Sequence, residues 1–475
     1  MGSYGRRRVV GAYAHFIGVG GAGMSGIARV LHDRGKVVTG SDLKASRYAT
    51  ALQEAGVTVH IGHDAANLGD PEIVVISSAI PESNPELAEA RRRGLEIWPR
   101  AKMLAHLAGD DKMLAVAGTH GKTTTSSMLA TVLDGMGLDP TFLIGGELND
   151  MGANARCGTG EYYVVEADES DGSFLHMDPH VALVTNVEAD HLDHYKDLAE
   201  VVETFAAFIA RVPADGIAVV CGDDLGLSAL AHEAGECRVV TYGSLDECDV
   251  RCSEFEPVGL GHHFTVTLPD GASVRAYVRV PGVHNVVNAT GVLAAMWALG
   301  HNVSAVVTAL ERFSGVRRRF DEVGVIGGVT IVDDYAHHPT EVRATLAAAR
   351  QGAFDRVWVI FQPHRYSRTA ALGGDFGVSF GEADRLVLMD VYSAGEAPLP
   401  GVSGKTVLDA VLDHTPHARA AYFPHRIDIA DYVADRVHPG DLVMTMGAGD
   451  VTTLGSELIR EIGRRVEAVE EAACR

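Results

Sequence analysis

The chain is poor in cysteine: 6 are spread through 475 residues, none in a C-x-x-C spacing. Cys248 and Cys252 lie closest, which makes neither a zinc site nor a disulfide framework and predicts a reducing cytosol. Basic residues are scarce too. The 40 Lys and Arg face 63 Asp and Glu, a formal net charge of −23, with no dense Lys/Arg stripe. That balance argues against a nucleic-acid partner. The short runs Arg6-Arg7-Arg8 and Arg91-Arg92-Arg93 read as solvated faces. Long apolar runs are also missing. The segment from Val9 to Phe16 is interrupted and glycine-rich, unlike a signal peptide. The stretch from Val286 to Leu299 carries Asn288 and Thr290 and is too short for a bilayer. The expected location is cytoplasmic, without membrane insertion. Repeats and low-complexity tracts are absent.

What is present is a folded-protein composition, 47% hydrophobic and 22% charged. The length exceeds one core and calls for about three domains. Strand-like runs such as His15-Phe16-Ile17, Lys36-Val37-Val38-Thr39 and Ile73-Val74-Val75-Ile76 alternate with helical stretches at 23–32 and 48–55. This βαβ rhythm predicts a parallel sheet. The polar break Gly109-Asp110-Asp111-Lys112 marks a first boundary. Further strands are expected at 162–165, 181–185 and 217–220, with helices at 198–210 and 285–299. Period-two alternation between 250 and 280 predicts hairpins near the sheet edge. A last α/β unit begins near Arg317, with strands at 330–332, 357–361, 386–388 and 442–446. The fold class is α/β, as three consecutive domains at 1–110, 111–316 and 317–475.

Gly118-Thr119-His120-Gly121-Lys122-Thr123-Thr124-Thr125 is the most informative stretch. It follows the apolar run Met113-Leu114-Ala115-Val116-Ala117 and leads into an apolar helical pattern. Strand, glycine turn with Gly-Lys-Thr, then helix is a phosphate-binding loop. Backbone N–H groups face the anion, the Lys neutralises outer phosphates, and a Thr hydroxyl ligates magnesium. The strict Walker pattern needs Gly where Val116 stands. The expected ligand is a nucleoside triphosphate.

Gly18-Val19-Gly20-Gly21-Ala22-Gly23 matches G-x-G-x-x-G between a strand and a helix, and Asp42 ends the next strand. Alone this is the dinucleotide fingerprint and suggests an NAD-binding oxidoreductase. The geometry requires only a pyrophosphate on a helix N-terminus, which a sugar nucleotide also carries. Ser77 and Ser78 follow the fourth strand at the same carboxyl edge.

Glu166, Asp168, Glu169 and Asp171 end one buried strand; Asn186, Glu188, Asp190, His191 and Asp193 follow another. Magnesium takes hard oxygen ligands and bridges carboxylates to phosphate, so Glu166 is a candidate ligand. His191 is a candidate ligand for a second ion, an arrangement suited to phosphoryl transfer.

Together with His284-Asn285-Val286-Val287-Asn288-Ala289, Arg317-Arg318-Arg319-Phe320-Asp321, Asp333-Asp334-Tyr335-Ala336-His337-His338-Pro339 and His364-Arg365-Tyr366-Ser367-Arg368, these segments resemble the ATP-dependent Mur ligases over nearly the whole chain. The resemblance implies a Rossmann-like N-terminal domain, a P-loop ATPase-like central domain and a Rossmann-like C-terminal domain. It implies ATP and Mg2+ as cofactors, and an enzyme of peptidoglycan precursor synthesis, hence of cell-wall biogenesis, cell shape and division. Its alanine-adding branch joins L-alanine to the lactyl carboxylate of UDP-N-acetylmuramate through an acyl phosphate, as a monomer or homodimer. The UDP-sugar would be held by Gly18, Gly20, Gly21, Ala22, Gly23, Met24, Ser25, Asp42 and Ser78. ATP would be held by Gly118, Thr119, His120, Gly121, Lys122, Thr123 and Thr124, with His284, Asn285, Asn288, Arg319 and Asp334. Lys122, Glu166, His191 and Arg319 would be catalytic, and Thr123, Glu166 and His191 would hold metal. His337, Arg365 and Arg368 would meet the alanine or the reacting carboxylate, where the Arg fork suits a carboxylate.

Many relatives place a carbamylated Lys after the metal His. The helix around Glu203-Thr204-Phe205-Ala206-Ala207-Phe208 has none, as expected for the alanine-adding branch. A murein-peptide recycling ligase is the near alternative, expected to carry Tyr where Ser170 stands.

Overall fold

The computed structural model describes residues 13–77, 79–190 and 194–473. Ser78 and His191 lie outside the described residues.

The first sheet has five parallel strands: β1 (Tyr13–Ile17), β2 (Val37–Asp42), β3 (Thr58–Ile61), β4 (Ile73–Ile76) and β5 (Glu96–Pro99). Their order is β3-β2-β1-β4-β5, so the strand sequence reverses between β1 and β4. A crevice opens at the carboxyl ends where such a reversal occurs. The glycine loop sits there, pinned by Gly18 and Val19 N–H groups donating to the Ser41 carbonyl at 2.8 and 3.0 Å.

Buried Glu86 anchors the strand ends below this loop. Its carboxylate accepts from Ser41 Oγ at 2.6 Å and bonds His15 Nε2 at 2.9 Å and Asn67 Nδ2 at 3.2 Å. Burial alone would raise its pKa, but the His15 and Ser41 hydrogen bonds hold it down to about 2. A depressed carboxylate stabilises the fold above its unfolded value near 4.5 and loses that contribution as pH falls toward about 2. The loss should be about 3 kcal/mol. Hydrogen exchange of first-domain peptides between pH 5 and pH 2 should show it in the wild type. A Glu86→Gln chain with the same acid profile would remove this anchor from the account.

The middle sheet contains β6 (Lys112–Ala117), β7 (Thr141–Leu148), β8 (Ala153–Arg156), β9 (Tyr162–Glu166), β10 (Val181–Val184), β11 (Ile217–Cys221), β12 (Arg238–Gly243), β13 (Val250–Val258), β14 (Gly261–Thr267) and β15 (Ser273–Val278). Its order is β15-β14-β13-β12-β11-β10-β6-β9-β7-β8. The parallel centre is covered on both faces, which is why Met113 through Ala117 is a continuous buried run. The alternating 250–280 segment forms an antiparallel extension of one edge, as its period required.

The third sheet runs β16-β17-β21-β18-β19-β20. Its strands are β16 (Asp321–Ile326), β17 (Val329–Asp334), β18 (Arg356–Phe361), β19 (Arg385–Leu388), β20 (Ala420–Tyr422) and β21 (Asp441–Met446). Only β16 pairs antiparallel.

One apolar core runs continuously from Phe16 and Ile27 through Leu114 and Phe205. The third sheet has its own clusters on its two faces, around Phe361 and around Trp358. The first two sheets therefore share one apolar core, whereas the third sheet has separate ones. Among the described residues, no helix is long and apolar enough to cross a membrane.

Candidate functional site

β6 ends in the loop 118–121, and the helix Lys122–Gly135 starts from it. Gly118 has φ +131°, and a Cβ there would lie 2.0 Å from Thr185 Oγ1. Gly121 has φ +82° and backs onto Asn288. These two positions need glycine for both conformation and space. The residues after β10 grip the loop from the side: Thr119 N–H donates to the Asn186 carbonyl at 3.0 Å and His120 N–H to Asn186 Oδ1 at 2.9 Å.

Lys122 Nζ donates to the Gly118 carbonyl at 2.7 Å and to Glu169 Oε1 at 2.7 Å. Burial lowers its pKa, but Glu169, Asp168 and Glu166 raise it further and hold the ammonium charged. Thr123 Oγ1 donates to Glu166 Oε1 at 3.0 Å, and Gly145 N–H to Glu166 Oε2 at 2.7 Å. A Cβ at Gly145 would come 2.8 Å from that carboxylate. Sequence reasoning missed Gly145-Gly146, because glycine inside a strand carries no periodic signal, although it marks close backbone approach. Thr123 and Glu166 are hard oxygen donors brought side by side, a set that fits magnesium.

An open cleft lies between the middle and third sheets. Gly121, Thr124, His284, Asn285, Asn288, Arg319 and Asp334 line it, so residues expected to hold ATP from two domains converge. Asn288 Nδ2 donates to Asn285 Oδ1 at 3.2 Å, and Asn285 Nδ2 to the Pro281 carbonyl at 2.7 Å. Asp334 accepts from Phe320 N–H at 2.8 Å and Ala336 N–H at 2.7 Å. Burial pushes its carboxyl up to about 6 against the nearby Arg319. Both of its oxygens hold main chain, so its first task is to shape the cleft wall. Arg319 stands over the Tyr335 ring and 3.6 Å from Glu341.

A second, half-open pocket lies between the first and middle sheets. Gly23, Arg100, Asn154, Gly145, Glu166 and Asp168 are among its lining. Arg100 reaches Asp168 at 3.6 Å, and Asn154 Nδ2 donates to the Ala22 carbonyl at 3.0 Å. Glu166 and Gly145 thus join the cavity beside the glycine loop to the phosphate loop.

Four residues expected to meet ligands have partners within the chain. Asp42 accepts from Gly20 N–H at 2.9 Å and Lys44 N–H at 3.2 Å, so it shapes the glycine loop rather than presenting a bare carboxylate. Met24 is 3% exposed and packs in the core, and Ser25 Oγ donates to the Ala22 carbonyl. Arg368 pairs with Asp190 at 3.1 Å, bracing the middle-domain segment from the third domain. Arg365, at φ +67°, opens the helix Tyr366–Phe376, and His337 Nδ1 bonds the Tyr335 carbonyl at 2.9 Å. Burial lowers His337 to about 4, which leaves it neutral with Nε2 as an acceptor.

Three family models cover the chain in succession: Mur ligase family, catalytic domain, at 13–112; Mur ligase middle domain at 116–296; and Mur ligase, glutamate ligase domain, at 318–449. The chain belongs to the Mur ligase family. This Mur ligase is 48% identical over 452 residues to a UDP-N-acetylmuramate–L-alanine ligase of Rubrobacter xylanophilus, covering 94% of this chain and 99% of that protein. A UDP-N-acetylmuramate–alanine ligase structure from Thermotoga maritima matches with TM-score 0.80 at 28% identity, covering 96% of this chain and 99% of that one. A murein peptide ligase from Psychrobacter arcticus matches at TM-score 0.72 and 26% identity, covering 95% and 99%. The resemblance drawn from the phosphate loop, the acid cluster and the third-domain arginines is thereby borne out for this Mur ligase.

Proposed function

We infer that the chain is an ATP-dependent ligase joining L-alanine to the lactyl carboxylate of UDP-N-acetylmuramate through an acyl phosphate, with ADP and phosphate released. The observation that carries it is end-to-end identity of 48% to a ligase of that name. The cleft in which Gly121 and Thr124 of the phosphate loop face Arg319 and Asp334 of the third domain supports it. The recycling ligase is not favoured, since the curated relatives are alanine ligases and Ser170 stands where that enzyme is expected to carry Tyr.

Making an amide in water needs an activated carboxylate. The first domain presents the sugar nucleotide beside Glu166, while loop 118–121 and Lys122 receive the triphosphate. Arg319 closes over the phosphates from the third domain, so positioning and charge neutralisation do most of the catalytic work. Thr123 and Glu166, with His191, would hold magnesium, which when bound neutralises phosphate charge. Neutral His337 offers Nε2 to the incoming amine, and Arg365 pairs with the alanine carboxylate. The three-domain division at 1–110, 111–316 and 317–475 follows this sharing of ligands.

The decisive experiment is ADP release with UDP-N-acetylmuramate and each amino acid in turn. Turnover stimulated by L-alanine is expected; equal turnover without it, or binding of a nicotinamide cofactor, would overturn the reading. Within that assay Arg365→Ala should raise the KM for alanine about ten- to hundredfold, and that for ATP much less. Arg368→Ala should shift both together, because Arg368 braces Asp190. A pure ATP effect in Arg365→Ala would move Arg365 to the phosphate site.

A further inference from the structure

The phosphate loop is held through its backbone by Asn186. His120 N–H donates to Asn186 Oδ1 at 2.9 Å, and its carbonyl accepts from Asn186 Nδ2 at 3.0 Å. The imidazole is not needed for that and reaches the other way, across the cleft. Its Nδ1 lies 3.4 Å from Glu341 Oε1 and its Nε2 lies 3.6 Å from Glu188 Oε2. Its ring packs against His338 with centroids 4.8 Å apart. Glu341 and His338 belong to the third domain, at the start of the helix Pro339–Ala349. Glu188 belongs to the middle domain and accepts from Thr340 Oγ1 of that helix at 3.0 Å. One ring therefore stands between two carboxylates on opposite sides of a domain boundary.

His120, Glu188 and His338 bring three ligand atoms within 4.8 Å of one another, which raises the question of a cation site. The tautomer answers it. His338 Nδ1 accepts from Thr340 N–H at 3.3 Å, so a neutral His338 carries its proton on Nε2 and is not a free ligand. The positive charge between the carboxylates is His120 itself. Burial would lower its pKa, but Glu188 and Glu341 raise it to about 9. The titratable and charged groups facing it are these two carboxylates, neutral His338 and, beyond Glu341, Arg319.

We propose that His120 is a positioning residue for phosphoryl transfer, tying the phosphate loop to the third domain by bridging Glu188 and Glu341. Glu341 also lies 3.6 Å from Arg319 and caps its own helix through His337 N–H at 3.0 Å. Fixing Glu341 against the loop fixes Arg319 over the phosphates. The bridge forms only when the third domain is closed, so it acts on turnover rather than on initial nucleotide binding. This proposal rests on the ligase reading above.

The test compares the full-length wild type, His120→Gln, Glu188→Gln, their double variant and Thr340→Val. His120→Gln should lose about ten- to hundredfold in kcat, while the ATP Kd by calorimetry changes less than about threefold. The double variant should be no slower than the slower single, because either change alone breaks the bridge. Thr340→Val keeps His120 and should lose only a few-fold. Small-angle scattering with magnesium and a non-hydrolysable ATP analogue should show a more compact wild type than His120→Gln. A His120→Gln enzyme with wild-type kcat, single losses that multiply, or identical scattering would each overturn the proposal. Scattering needs no acceptor substrate, so absence of alanine-dependent turnover in the wild type fails the ligase reading while the scattering still judges His120.

Discussion

A Lys122→Ala enzyme is expected to release ADP several powers of ten more slowly than the wild type, with little change in thermal midpoint. Removing a cation that faces a transferring phosphoryl group costs on that scale. The ammonium is rigidly placed, within 2.7 Å of both the Gly118 carbonyl and Glu169, and three carboxylates keep it charged. The fold should survive because the partner left behind, Glu169, is a buried carboxyl that takes a proton when its cation is removed. Lys122→Arg should not rescue the rate, since a planar fork does not fit where a point charge is enclosed by loop carbonyls. Steady-state ADP release and a thermal melt check both halves. Near wild-type turnover in Lys122→Ala would remove the phosphate loop from the chemistry.

Glu166→Gln should come next in severity, slowing turnover by about a thousandfold at fixed magnesium. The substitution keeps the shape and an acceptor for Gly145 N–H, so it deletes charge rather than structure. Thr123→Val, which deletes the hydroxyl 3.0 Å from Glu166 Oε1, should act in the same direction. The half-saturating magnesium concentration should rise about ten- to hundredfold in both. Manganese titration followed by electron paramagnetic resonance gives a readout independent of turnover. His191→Ala should behave alike on the sequence argument. Unchanged manganese affinity in Glu166→Gln would mean that the metal sits elsewhere.

The sequence made legible those parts of the site whose meaning is local. The Gly-Lys-Thr turn after a buried run, the acids after β9 and the Asn pair on one helix turn all carry their chemistry in spacing. The 250–280 hairpins were readable because alternation is a two-residue property. Less readable were Arg368 and Asp42, whose residue types suited a ligand. The structure gives the first an ion pair to Asp190 and the second the backbone of the glycine loop. Side-chain type says what a residue can bind, and competition among nearby partners decides what it does bind.

By itself, the sequence determined three α/β units, a phosphate loop starting the helix at Lys122 and a set of acids near it. These follow from hydrophobic periodicity and from the backbone needs of glycine, both of which act over a few residues. Only the tertiary structure decided that Glu169 pairs with Lys122, that Gly145 in β7 approaches Glu166, and that His120 meets Glu341 across a domain boundary. Those partners are far apart along the chain, and their meeting depends on strand order and on how the third domain packs. Spacing along the sequence carries no record of either, because contact energy is set by distance in space.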